Sequence, residues 1–211
     1  MTVRVKLIIT CFLFSLVLTG CFPKHAGSRL AHFDTESPAV GGFAPQTTLV
    51  DSAGRPISII DYVSEKPLVV QFGSHTCPVY RYRRFSMEKL YSEFKDQVNF
   101  LLVYTREAHP VGSKSPYDDK EWVTAWNRVP RVLLEEPATL DQRVARAKWS
   151  KDTLGIRYPV LVDSMNNATW TNYGRAASPA FVIDVDGRIA LRQVWVDPKV
   201  IREKLATLLN R

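Results

Sequence analysis

The sequence predicts an α/β sandwich: a central mixed sheet with flanking helices and a β-hairpin ahead of it. Three observations carry this expectation. Residues 67–72 (PLVVQF) form a short apolar run rich in β-branched side chains, residues 78–94 space apolar side chains at roughly helical intervals, and residues 98–104 (VNFLLVY) form a second apolar run. A strand, a helix and a strand make a crossover unit, which implies parallel pairing. Hairpin patterns on both sides of the unit then make the sheet mixed.

The elements follow in chain order. Residues 47–50 and 57–60 flank a turn at Ala53 and Gly54 and read as the opening hairpin. The helix after Pro78 presents Val79, Tyr82, Phe85, Met87, Leu90, Tyr91 and Phe94 as its expected apolar face. Residues 108–138 are irregular, with four prolines and Trp122 and Trp126 among them, a pattern typical of a lid or binding loop. Thr139 and Gln142 form a capping box that heads a helix to about Leu154. A third strand (YPVLVD), a hairpin turning at Asp186 and Gly187, and a helix started by Asp197 and Pro198 complete the chain. This order fits a thioredoxin-like, peroxiredoxin-related sandwich, and no internal repeat is present.

The first 20 residues stand apart. Arg4 and Lys6 precede an apolar run over residues 7–18 that is short for a bilayer span, as in a secretory leader. The leader ends in LTGC, which resembles the bacterial lipobox and implies that Cys21 is lipidated after cleavage. The expected organisation is therefore a leader (1–20), a flexible tether (21–42) and one domain (43–211), with the protein exported and held to a membrane by its lipid. Phe22, rather than Asp, after the anchor suggests the periplasmic face of the outer membrane.

Of the three cysteines, Cys11 leaves with the leader and Cys21 carries lipid, so Cys77 stays a free thiol. An exported protein usually pairs or avoids cysteine, which marks Cys77 as either reactive or an inert core residue. The formal charge is +7, and two of the cations, Arg4 and Lys6, belong to the leader. YRYRR (80–84) reads as a solvated helix face, so no nucleic-acid partner is expected, and no His, Cys or acidic cluster has metal-ligand spacing.

The setting of Cys77 in FGSHTCPVYR favours reactivity. Pro is suited to the first helical position, which puts Cys77 at the N-cap, facing free amides and the positive end of the helix dipole. Arg81 and Arg84, four and seven residues on, would add positive potential, and together these predict a lowered thiol pKa. Ser74 and Thr76 could orient the sulfur or a substrate through their hydroxyls.

PLVVQFGSHTCPVYR, VNFLLVYTREAHP, SPY at Ser115, TLDQRVARA at Thr139 and VLVDSMNNATWTNYG at Val160 together resemble the iodothyronine deiodinase family, thioredoxin-fold selenoenzymes that remove iodide from aromatic rings. The resemblance runs from about Gly42 to Leu209. It puts Cys77 where the family has selenocysteine, and it makes Tyr104, Glu107 and His109 a proton-handling cluster. It further implies a small-molecule iodoaromatic substrate, an external thiol or thioredoxin-like reductant, no bound cofactor, and room for a homodimer. His75 takes the place of a cysteine frequent in the family, while Pro137 and Pro179 occupy positions of a histidine and an arginine linked to holding hormone. Pro179 also resembles the cis-proline that faces the cysteine in thioredoxin-like redox proteins.

Two other readings compete. One is a one-cysteine, peroxiredoxin-like thiol peroxidase: Ser74 fills the hydroxyl position three residues before Cys77, although Val70 stands where that pattern has proline. The other is a non-catalytic surface lipoprotein that uses the fold to bind a partner.

Overall fold

The computed structural model describes residues 30 and 32–210. The seven strands lie in the order β2-β1-β5-β4-β3-β6-β7. They are β1 (Thr48–Val50), β2 (Pro56–Ser58), β3 (Leu68–Gly73), β4 (Asn99–Tyr104), β5 (Val160–Asp163), β6 (Ala180–Ile183) and β7 (Ile189–Gln193). Pairing is parallel for β3–β4 and β4–β5 and antiparallel elsewhere, so the sheet is mixed as expected. The helices are α1 (Phe33–Glu36), α2 (Pro78–Phe94), α3 (Ala125–Arg128), α4 (Leu140–Leu154), α5 (Ala168–Asn172) and α6 (Pro198–Leu209), with a 3₁₀ turn at Ile59–Tyr62.

Alternation along β3 divides the core. Leu68, Val70 and Phe72 pack on one face with Phe33, Tyr173 and Phe181, while Val69 points to the other face, shared with Cys77, Tyr80, Met87, Leu90, Ile201 and Leu205. Both faces are therefore covered, as a parallel centre requires. The expected caps are present: the Thr139 hydroxyl accepts from the Gln142 amide, the Gln142 side-chain oxygen accepts from the Ala138 amide, and the Asp197 carboxylate accepts from Lys199 N–H. Gly155 closes α4 at φ 65°, a left-handed cap that glycine adopts without steric cost.

The buried face of α2 keeps Met87, Leu90 and Phe94 of the expected set, with Val79 and Tyr91 packed beside them, and differs at Tyr80, Tyr82 and Phe85. Tyr80, Met87, Leu90 and Phe94 are buried, whereas Tyr82 and Phe85 are 59% and 70% exposed. Gly73 explains the change of register. A Cβ on that residue would lie 2.6 Å from the Tyr80 ring, so the glycine opens the space that Tyr80 fills. With Tyr80 turned inward, Tyr82 meets Trp126 edge-on at 5.3 Å, and Phe85 lies under the Arg84 guanidinium at 3.7 Å.

Residues 33–42 also differ from the free tether expected of them. Phe33 is buried against Phe181, the Glu36 carboxylate pairs with Arg175, and Gly41 and Gly42 bond to Ile189 across the backbone. The apolar Phe33 ring gives this segment a docking point that its polar composition hides. The leader and residues 21–29 and 31 of the tether, Cys21 among them, lie outside the described residues.

Candidate active site

In-register pairing of β3 and β4 builds the site. Gly73 lies opposite Tyr104, and the Thr105 amide donates to the Gly73 carbonyl, so residues 74–77 and 105–109 leave the carboxyl ends of adjacent parallel strands side by side. Ligand sites of open α/β sheets gather at such ends.

Glu107 is the centre of the arrangement. Its fully buried carboxylate accepts from the Tyr104 hydroxyl at 2.5 Å, the Thr76 amide at 2.9 Å and the Thr76 hydroxyl at 2.7 Å, with Arg146 at 3.6 Å. The Tyr104 oxygen accepts the His75 amide, Thr76 Oγ1 accepts the His109 amide, and Ser74 Oγ accepts the Ala108 amide. Six expected residues (Ser74, Thr76, Cys77, Tyr104, Glu107 and His109) thus belong to one pair of cross-linked loops. Burial and the Glu107 charge together raise Tyr104 well above the ordinary phenol range.

Cys77 is the N-cap of α2 with Pro78 behind it, as expected. The predicted low pKa is not what the geometry gives. Cys77 is 1% exposed, and burial pushes its thiol up to about 11. The Tyr80 and Val79 amides and Arg81 pull in the opposite direction, and Glu107 adds to the rise. Desolvation of the thiolate outweighs the helix start. Arg84, expected to help, instead stacks on Phe85. Arg81 turns back over the loop and donates to the His75 carbonyl, the Trp126 carbonyl and Asn127 Oδ1.

His109 holds its ring edge-on to Trp122 at 4.5 Å, with Nδ1 3.0 Å from the Trp122 carbonyl. A carbonyl only accepts, so the neutral ring carries its proton on Nδ1 and presents the Nε2 lone pair. Burial depresses its pKa to about 4. His109 is therefore neutral at pH 7, with Nε2 free to accept a proton, rather than half-protonated as an ordinary histidine pKa suggests. His75 is also neutral: burial first, then Arg81 and Arg146, lower it to about 4. It lies against Trp149, with Nδ1 2.9 Å from Ser150 Oγ, so it is not a cation over the sulfur. Pro179 enters β6 and its carbonyl accepts the Phe72 amide; no peptide bond among the described residues is cis, so the resemblance to a cis-proline does not extend to its geometry.

Four residues that sequence reasoning passed over lie behind these loops. Asn127 joins Arg81 to the Thr76 carbonyl. Glu136 accepts the Glu107 amide at 2.6 Å and pairs with the buried Arg143. Tyr117 packs against the core that contains Cys77 and accepts the Trp170 indole N–H. Tyr117 and Arg143 sit inside the SPY and TLDQR segments, so position in a motif was an available signal for both; Asn127 and Glu136 have none. Among the described residues, no group of three or more His, Cys, Asp or Glu could hold a metal ion.

Fold and site together define a thioredoxin-fold protein with a cysteine at the start of the helix that follows β3. The thioredoxin domain of a thiol-disulfide oxidoreductase from Bacteroides vulgatus superposes with a TM-score of 0.54 at 16% identity, over 80% of this chain and 99% of that one, and supports the fold. The sequence model of iodothyronine deiodinase matches residues 25–194, and the chain belongs to that family. Type I iodothyronine deiodinase of Xenopus laevis is 30% identical over 151 residues, 71% of this chain and 54% of the relative. Thyroxine 5-deiodinase of Gallus gallus is 30% identical over 159 residues, 74% of this chain and 56% of the relative. The chain thus spans about half the length of the curated relatives it matches.

Proposed function

We propose that the protein is a thiol-dependent oxidoreductase of deiodinase type that removes iodide from an iodoaromatic through Cys77. The observation that carries this reading is the placement of Cys77 at the start of α2, beside the Tyr104–Glu107–Thr76 network, in a chain whose family acts on iodinated rings. The sulfur attacks iodine along the carbon–iodine axis, an S–I bond forms, and the C–I electron pair stays on the ring carbon. That carbon takes up a proton. A thiol with a pKa of about 11 still holds its proton at neutral pH, so Cys77 supplies it as it reacts, and His109 Nε2 relays it to the ring. An external thiol then displaces iodide from the sulfenyl iodide and gives a mixed disulfide, which a second thiol reduces. Tyr104, Glu107, Ser74 and Thr76 hold the two loops, and Arg81 favours negative charge on the sulfur. No bound cofactor enters the scheme.

The test is a panel of iodotyrosine, iodothyronine and peroxides, each with a dithiol, against wild type and Cys77→Ser. Iodide release that depends on Cys77 supports the proposal, and release undiminished in the variant overturns it. The burial of Cys77 favours one second reading, a one-cysteine thiol peroxidase, because a peroxide is small enough to reach a covered sulfur. In that case dimedone captures a Cys77 sulfenic acid and iodoaromatics release nothing.

Export and lipidation at Cys21 belong to the same proposal, with the domain held at a membrane by its lipid. Among the described residues no helix is long and apolar enough to cross a membrane. Metabolic labelling with an alkyne fatty acid is expected to tag wild type and to leave Cys21→Ser untagged; equal labelling of both contradicts anchoring there.

A further inference from the structure

We propose that Asn127 determines which reactants reach Cys77, by latching the irregular 110–132 excursion over the cysteine loop. This deepens the reading of Cys77 as the reacting group and rests on it. Asn127 is the buried member of the four-residue helix α3, whose outer residues Trp126 and Val129 are 61% and 84% exposed. Its Nδ2 donates to the Thr76 carbonyl at 2.8 Å, immediately before Cys77, and its Oδ1 accepts from Arg81 Nη2 at 2.8 Å. The same guanidinium donates to the Trp126 and His75 carbonyls. The amide orientation is fixed chemically, since a carbonyl needs the NH₂ and a guanidinium needs the oxygen.

The bonds make a closed ring that ties the residues on either side of Cys77, Thr76 and the first turn of α2, to one short segment. Two further contacts seat the excursion nearby, the Trp122 carbonyl on His109 and the Ser115 hydroxyl on the Ala108 carbonyl. Tyr117 of the same excursion packs against the core that holds Cys77, which is 1% exposed, and this burial suits a small reactant and bars an iodinated ring. The segment's outer face buries little apolar surface, so its opening belongs to the low-energy end of local motions. When Asn127 withdraws, the Thr76 carbonyl and Arg81 turn to water, the segment swings out and a bulky reactant enters.

The test compares Cys77 modification by iodoacetamide with that by a fluorescein maleimide, following the Cys77 peptide by mass spectrometry. The ratio of the two rate constants cancels the thiolate fraction, so a change in pKa alone does not move it. In Asn127→Ala the bulky-to-small ratio is expected to rise about tenfold, roughly the loss of one buried hydrogen bond. In Asn127→Asp, which keeps the Arg81 bond but turns a carboxylate towards the Thr76 carbonyl, the ratio also rises. An unchanged ratio in a variant with native near-UV circular dichroism overturns the proposal. Should both variants fail to fold, hydrogen exchange on wild type decides. Amides of Asn127, Arg128 and Val132 are expected to exchange at least about a hundredfold faster than those of Val70 and Leu101, and equal protection overturns the latch. Neither readout uses iodide release, so the latch and the deiodinase reading fail separately.

Discussion

Cys77 sits under two opposing influences that have the same origin. The start of α2 turns the Val79 and Tyr80 amides towards the sulfur and stabilises a thiolate, yet packing that helix start onto β3 removes the water a thiolate needs. Burial wins, and the thiol pKa stands at about 11. Iodoacetamide modification of Cys77 is accordingly expected to accelerate about tenfold per pH unit from pH 7 to about 10, following the thiolate fraction. A plateau below pH 8 contradicts this ordering of effects. Pro78 made the N-cap position of Cys77 readable from sequence. The sign of its pKa shift was not readable, because desolvation depends on Ala108, Tyr117 and Ala177, which reach the same core from distant parts of the chain.

At the scale of elements, the β3–β4 register carries the site and Glu107 fastens the two loops that leave it. Replacing this carboxylate by an amide turns a donor towards the donors of Thr76 and Tyr104. Glu107→Gln is expected to cost about 2–4 kcal/mol, a loss of charge-assisted buried hydrogen bonds. The same change removes a negative charge that raises the thiol, so Cys77 alkylation at pH 8 is expected to quicken. Urea unfolding and alkylation rates measure the two effects, and unchanged stability contradicts the fastening role. The crossover unit, both hairpins and the capped helices α4 and α6 follow from local pattern and were legible. The inward place of Tyr80 on α2 was not, because Gly73 opens its space from the preceding strand. Helices α1, α3 and α5 have four or five residues each, too few to show periodicity.

Over the whole molecule, the deiodinase segments recognised in sequence are scattered from Gly42 to Leu209, and the fold brings several of them around one strand end. Glu136, Arg143 and Arg146 lie far along the chain from Glu107, yet they support it directly or through one another. Such long-range support has no short-range signature, which is why the family motif carried more of the site than spacing did. The most direct measurement is a single turnover: reduced, desalted protein mixed with an iodoaromatic in the absence of added thiol. One equivalent of iodide is expected to appear as one equivalent of Cys77 thiol disappears. Iodide release with the Cys77 thiol intact, or equal release from Cys77→Ser, contradicts the deiodinase mechanism.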